Sequence, residues 1–444
     1  MLAKNIVEQN RIRVLGFDSW TAGARHYCRL VDAFNRNNID LMLVHLGSWG
    51  NDPDRPKEEY IEELLVRDIS YYPDQRFDQI LTDGKPDVVL FLSTGSFAHR
   101  AFQRYCHAQG IPTINLEHGI ISVGKYDGED AKVVLNLSAH VKWVTSRATI
   151  TFAHTLPCYI MSLWRTKATR ADWLRLGSDL LARVMGKELC RYALDASPTK
   201  SCVFVEAEIE DTEARYSQSR DDIIVVGNPD FIHFNFQSDM LASCLNRKNS
   251  ALGDVMYVEC GMTAFGVFFK SQTAYCEYIG AIAKSLKSQG YRLLFKLKPQ
   301  GPGYESRLRA NFAGYDVDIV GNVEFMSKLS GCVACITEPS SLGILPCLLG
   351  MPVLLNQIAP LDPDSLGYGD IFTAYPRSIC LTDPDAFTQL LEREHTGLNP
   401  TDVSNWIRKH SGPLPASDMP KRVAGVVLDL VKQRESANLG VGRC

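Results

Sequence analysis

Short apolar runs and amphipathic stretches alternate along most of this chain. IRVLGF at 12–17 is apolar and ends in Asp18 and Ser19. A helical pattern follows from about 23 to 37, with Tyr27, Leu30 and Phe34 on one side. LMLVHL at 41–46 is the next apolar run. Runs of this length suit strands covered on both faces, and strand–helix–strand is the unit of a parallel sheet. The patterns at 57–67 and 74–82 predict helices. PDVVLFLS at 86–93 predicts a third strand, 97–109 a further helix, and IPTINLEHG at 111–119 a fourth strand ending in a polar loop. Residues 120–200 read as mostly helical, with Trp143, Trp164 and Trp173 among them. CVFVEA at 202–207 and DIIVVGNP at 222–229 predict two more strands. The first half is thus a doubly wound α/β domain.

A polar stretch, 231–253, suits a linker. The alternation then begins again. Strands are predicted at 254–260, 291–299, 317–321, 332–338 and 352–356, with helices at 271–289, 304–313, 323–331 and 340–350 between them. Further helices are predicted near 384–394, 401–410 and 418–435. The pattern therefore implies two Rossmann-like doubly wound domains facing a cleft. In such sheets, ligands bind beyond the carboxyl ends of the strands. No internal repeat is visible.

Composition narrows the class. The chain has 444 residues, 45% of them hydrophobic and 22% charged, which fits two globular domains. Its 47 basic and 51 acidic residues give a net charge of −4, which argues against a nucleic-acid binder. The 13 cysteines are scattered and odd in number. Cys332 and Cys335 fall in an apolar strand and read as buried thiols, so a reducing cytoplasm fits. The N-terminus lacks the apolar run of a signal peptide, and no stretch approaches the roughly 18 apolar residues of a membrane span. Contact with a membrane surface through an amphipathic face stays open.

Five segments carry candidate chemistry. In CITEPSSLGILPCLLGMPVLL, 335–355, a strand runs to Thr337 and Glu338, Pro339 breaks it, and Ser340 and Ser341 open a helix. Hydroxyls and backbone N–H groups at a helix start attract an anion such as a phosphate. FKLKPQGPG at 295–303 places Lys298 at a strand end, where its charge suits a developing phosphate charge. NLEHGIISVG at 115–124 presents Glu117 and His118, either of which suits a general base. In VVGNPDF at 225–231, Asp230 is a candidate nucleophilic carboxylate. GFDSWTAGARHY at 16–27 ends the first strand in a polar loop bearing Asp18, Arg25 and His26. GMTAFG at 261–266 occupies the equivalent loop of the second domain. No P-loop, zinc motif or paired-aspartate metal motif stands out, so a metal-independent mechanism is the simpler expectation.

The serine pair before Gly-Met-Pro-Val, taken in order with EHG, GNP and KLKP, resembles the donor-binding segment of GT-B glycosyltransferases. It is similar to bacterial Kdo- and sialyl-type surface-polysaccharide transferases and to CDP-glycerol glycerophosphotransferases. The resemblance implies an acceptor-side domain over 1–230, a linker over 231–253, a nucleotide-donor domain over 254–415, and a C-terminal helix and tail over 416–444. It implies donor binding by Lys298, Glu338, Ser340 and Ser341, catalysis from among Glu117, His118 and Asp230, and cleft or acceptor contacts by Asp18 and Arg25. Lys298 stands where the family pattern often has His, and Leu345 where many relatives carry an acid. The latter favours a CMP-linked donor over a UDP-linked one. The implied partners are a nucleotide-sugar donor, used as co-substrate with no other cofactor, and a glycan or glycolipid acceptor. The implied location is the cytoplasm, at the inner face of the membrane. A polyol-phosphate transferase, a sugar-nucleotide epimerase and a non-catalytic carbohydrate-binding GT-B module are the alternatives.

Overall fold

The computed structural model describes residues 11–18, 23–50, 54–119, 150–184, 197–245, 253–261, 268–269, 271–298, 303–361, 368 and 370–441. The expectations for 120–149, for 185–196 and for the GMTAFG loop beyond Gly261 lie outside these residues. The described chain divides into two compact units. One takes in 11–118, 150–227 and 417–441, the other Gly119 and 228–416.

The first unit begins with β1 (Ile12–Asp18), α1 (Ala24–Arg36) and β2 (Ile39–His45). Tyr27, Leu30 and Phe34 are buried as their spacing predicts. The helix expected over 57–67 is instead a hairpin, β3 (Glu58–Ile61) and β4 (Leu64–Asp68). Leu64, Val66 and Asp68 point inward with period two, and Glu62 turns the chain with a φ of 55°. Pairing with β2 supplies the ladder that overrides the helical preference of the Glu and Leu residues. Next come α2 (Phe77–Gly84), β5 (Val88–Phe91), α3 (Phe97–Ala108) and β6 (Thr113–Leu116). After α4 (Leu156–Arg165) and α5 (Arg170–Val184), the chain forms β7 (Lys200–Val203), α6 (Ile209–Tyr216) and β8 (Ile223–Val225). The sheet order is β3-β4-β2-β1-β5-β6-β7-β8, with only β3–β4 antiparallel. Its main core packs Phe17, Phe91, Phe77 and Phe102 together, Phe17 and Phe102 stacked at 4.2 Å.

In the second unit, residues 231–245 do not form an open linker. Phe236 and Cys244 are buried, and the Ala242 and Cys244 N–H groups donate to Leu348 O and Leu349 O, each at 2.9 Å. The sheet strands are β9 (Gly253–Val258), β10 (Tyr291–Lys296), β11 (Val317–Val320), β12 (Ala334–Thr337) and β13 (Val353–Asn356). The helices between them are α7 (Gln272–Ser288), α8 (Tyr304–Asn311), α9 (Phe325–Leu329) and α10 (Ile344–Leu348). A sixth strand, β14 (Ser378–Leu381), was not foreseen; SICL is short and lies on the sheet edge. The order β11-β10-β9-β12-β13-β14 is parallel throughout. In strand count this is 3-2-1-4-5-6, the dinucleotide-fold order. α11 (Phe387–Gly397) and α12 (Pro400–His410) complete the unit. The chain then returns to the first unit as α13 (Met419–Val441), where Arg422 donates to Val226 O at 2.8 Å.

Candidate functional site

Each sheet has one topological switch point, where neighbouring strands send their chains in opposite directions and a crevice opens beyond the carboxyl ends. In the second unit it lies between β9 and β12. Val258 pairs with Thr337, so Glu259 and Glu338 are the next residues on adjacent strands. Both are buried. Glu338 accepts from Tyr257 OH at 2.8 Å, from Tyr275 OH at 2.5 Å and from the Cys260 N–H at 2.7 Å. Tyr257 OH accepts in turn from Asn356 Nδ2 at 2.7 Å. Burial raises the Glu338 pKa and these donors oppose the rise. Its carboxylate is thus engaged inside the protein. It clamps β12, β9 and α7 together and presents no oxygen to a donor, contrary to the expected contact.

Glu259 was not foreseen. It accepts from the Lys298 N–H at 2.9 Å and from Tyr304 OH. Burial pushes its pKa up to about 7; the Tyr304 hydrogen bond works against this and the Glu338 charge adds to it. The available signal was an acid directly after a central strand of the second alternation. Lys298 is exposed at the end of β10, and its Nζ donates to Cys260 O at 3.0 Å. Its cation therefore sits at the same end of the sheet as the switch point. Lys296, one turn of the strand earlier, is buried, and burial lowers its pKa to about 8.

Beyond β12, Ser340 is extended and Ser341–Gly343 form a 3-10 turn leading into α10. Ser340 is half-buried and Ser341 exposed. Neither hydroxyl is hydrogen-bonded among the described residues, and Ser340 makes no side-chain cap. The turn sits close to the strand end because position 343 is Gly. A Cβ there would stand 2.7 Å from Thr337 Oγ1 and 3.0 Å from the Phe372 ring. Cys332 and Cys335 are buried, and the Cys332 thiol donates to Lys328 O at 3.3 Å. Asp230 opens a single helical turn at the start of this unit, its N–H donating to Asn228 Oδ1 at 2.9 Å.

In the first unit the switch point lies between β1 and β5. Asp18 ends β1, and Leu92–Ser96 lead from β5 into α3. Asp18 is buried, 3.7 Å from His99 Nε2; His99 Nδ1 is 2.7 Å from Ser96 Oγ, which caps α3 by accepting the His99 N–H at 3.2 Å. Sequence reading missed His99 and Ser96, although a serine three residues before a histidine after a strand was there to be seen. His118 is exposed; its Nδ1 is 2.9 Å from Leu92 O, and its ring lies 6.0 Å from that of His26. His26 and His118 thus meet near Leu92, while Asp18 faces His99. Arg25 is exposed on the first turn of α1.

Glu117 points elsewhere, toward β7. It accepts from the Phe204 N–H at 2.9 Å, while Glu208 accepts from the Val205 N–H at 3.2 Å. Burial, then the charge and hydrogen bond of Glu208, hold the Glu117 pKa well above the carboxylate range. Among the described residues, no group of three or more His, Cys, Asp or Glu is placed to hold a metal ion.

No family model and no curated protein matches the chain. Solved structures do. CalG4, the calicheamicin glycosyltransferase, is 13% identical with a TM-score of 0.50, over 96% of this chain and 99% of that one. UDP-GlcNAc 2-epimerase from Neisseria meningitidis, bound to UDP-GlcNAc, is 12% identical with a TM-score of 0.44, over 94% and 100%. The wall teichoic acid polymerase TagF is 10% identical with a TM-score of 0.44, over 95% and 89%. The likeness to CalG4 shows the GT-B fold.

Proposed function

We propose that this GT-B-fold chain is a glycosyltransferase that moves a sugar from a nucleotide-activated donor to a glycan or glycolipid acceptor. The second unit holds the donor, with its phosphate at Ser340 and Ser341. One observation carries the reading: two unengaged serine hydroxyls follow the fourth strand of a 3-2-1-4-5-6 sheet, directly beside its switch point. The first N–H groups of the turn add donors for an anion. Lys298, at the end of the sheet's second strand, supplies positive charge for the leaving nucleotide.

In the first unit, His118 is the better base. A Nδ1–H donated to Leu92 O leaves the lone pair on Nε2, as a base toward an acceptor hydroxyl requires. Glu117 is the weaker choice, since its carboxylate is turned toward β7, where it accepts from the Phe204 N–H. Asp230 stays a candidate nucleophile only for a retaining reaction. A CMP-linked acidic sugar and a surface-polysaccharide acceptor are the narrower form of the proposal.

The test is calorimetry and transfer with CMP-, CDP-, UDP- and GDP-sugars. Ser340→Ala/Ser341→Ala is expected to weaken donor binding by at least about tenfold while the protein stays folded. His118→Ala is expected to lower kcat by about 10²–10⁴ with donor affinity kept. Unchanged donor affinity in the folded serine double variant removes the phosphate site. Nucleotide turnover without any acceptor points to an epimerase, and no nucleotide affinity at all to a binding module.

A further inference from the structure

In the second unit, one buried carboxylate ties two strand exits and a helix start together. Glu259 follows β9, and its N–H donates to Lys296 O on β10 at 3.1 Å. Its side chain bridges to the same neighbour. Oε2 accepts the Lys298 N–H at 2.9 Å, and Oε1 accepts from the hydroxyl of Tyr304, the first residue of α8. Lys298 returns the contact, its Nζ donating to Cys260 O at 3.0 Å. Lys298 is therefore held twice, at its backbone and at its ammonium group. Both holds come from the two residues after β9. Glu259 is 2% exposed, whereas Lys298 is exposed. The carboxylate lies behind the cation and is screened from solvent, while the cation is open to it.

A buried acid behind an exposed cation sets how much positive charge this end of the sheet offers. Ionised, Glu259 cancels part of the field of Lys298; protonated, it leaves that field whole. Burial pushes the Glu259 pKa up to about 7, so both forms are populated near neutrality. Its other titratable neighbours are Glu338 on β12, Lys296 on β10, Tyr275 and Cys276 on α7, and Cys260. Burial raises the tyrosine and both thiols, which stay neutral around pH 7. Burial also raises Glu338, against its hydrogen bonds. Burial lowers Lys296 to about 8, while the charges of Glu259 and of Glu305 on α8 oppose the fall. A phosphate arriving at Lys298 adds negative charge and so favours the protonated acid. By linkage, the protonated acid favours the phosphate equally.

We infer that Glu259 is a positioning residue for the donor: it fixes Lys298 at the switch point, and it takes up a proton from solvent as the donor phosphate binds. This rests on the proposed donor site of the second unit. It adds that donor affinity is tied to pH through a side chain the donor does not touch.

The test is calorimetry of the full chain with CMP-, CDP-, UDP- and GDP-sugars, in buffers of high and low ionisation enthalpy. The phosphates of these donors are esters that carry no proton near neutrality, so buffer-dependent heat reports on the protein. The wild type is expected to bind its donor on the order of threefold more tightly at about pH 5.5 than at about pH 7.5, where Lys296 keeps most of its charge. Near neutrality it is expected to take up part of a proton. Glu259→Gln keeps an oxygen for the Lys298 N–H and loses the charge. Its affinity is expected to stay at the wild type's low-pH value throughout, with no proton taken up. Glu259→Ala loses the hold as well, and is expected to bind on the order of tenfold more weakly at every pH. Should that variant fail to fold, Lys298→Ala is expected to flatten the pH dependence in its place. Wild-type affinity that does not change with pH overturns the inference and leaves the donor site standing. So does proton uptake that persists in Glu259→Gln, or folded Glu259→Ala and Lys298→Ala variants that both bind as the wild type does. No affinity for any of the four donors removes the donor site and this inference together.

Discussion

Glu259 and Glu338 occupy equivalent places on neighbouring strands, and their partners give them different work. Glu338 holds three donors and a strand junction. Glu338→Ala strands two tyrosine hydroxyls and an N–H in the interior, and is expected to cost about 2–4 kcal/mol in urea unfolding. Glu259 titrates near neutrality. With a folded pKa of about 7 against an ordinary 4.5, the folded state binds the proton more tightly. Its contribution is then fully present below about pH 4.5 and is lost as pH rises through about 7. Glu117 and Glu338 are shifted in the same sense, so the informative quantity is a difference. Stability measured from pH 5 to 8 is expected to fall more steeply in the wild type than in Glu259→Gln, which mimics the protonated acid. Equal slopes would show that Glu259 does not titrate in this range. Which residues stand just past a strand was legible in the sequence, and Ser340, Lys298 and His118 do follow β12, β10 and β6. Which way each points was not, because that depends on partners distant in the chain, such as Tyr275 for Glu338 and Glu208 for Glu117.

At the scale of elements, buried strands and amphipathic helices were read closely, since both periods are written in local sequence. The hairpin β3–β4 was misread because its Glu and Leu residues favour a helix and only pairing with β2 makes it a strand. β14 was missed because four residues on an edge carry too little pattern. The entry to α10 depends on an element contact that no periodicity encodes. Gly343 lets the turn approach β12, and Gly343→Ala is expected to destabilise by about 1–3 kcal/mol through overpacking against Thr337 and Phe372. Gly425 in α13 is the control. A Cβ there meets nothing within 4 Å, and Gly425→Ala is expected to stabilise by about 0.5–1 kcal/mol. Denaturation midpoints of the two variants moving in the same direction would contradict this account of the turn.

At the scale of the whole molecule, two successive α/β alternations made two units readable, but nothing local announced that the last helix belongs to the first of them. α13 buries Val423, Val427 and Leu430 and donates from Arg434 to Asp87 O at 3.3 Å. Ending the chain at Ala416 is expected to remove about 5–8 kcal/mol from the first unit, comparable with the whole stability of a domain. Hydrogen exchange is expected to show protection lost in β1 and α1 and kept in β9 and β12. The same return of the chain sets an order of events on the ribosome. The second unit emerges complete while the first still lacks its closing helix, and the stretch from Gly227 to Ser417 takes on the order of 10–40 s to synthesise. Throughout that interval the unfinished unit exposes the apolar bed that α13 will cover, so its reliance on chaperones is greatest just before α13 is made.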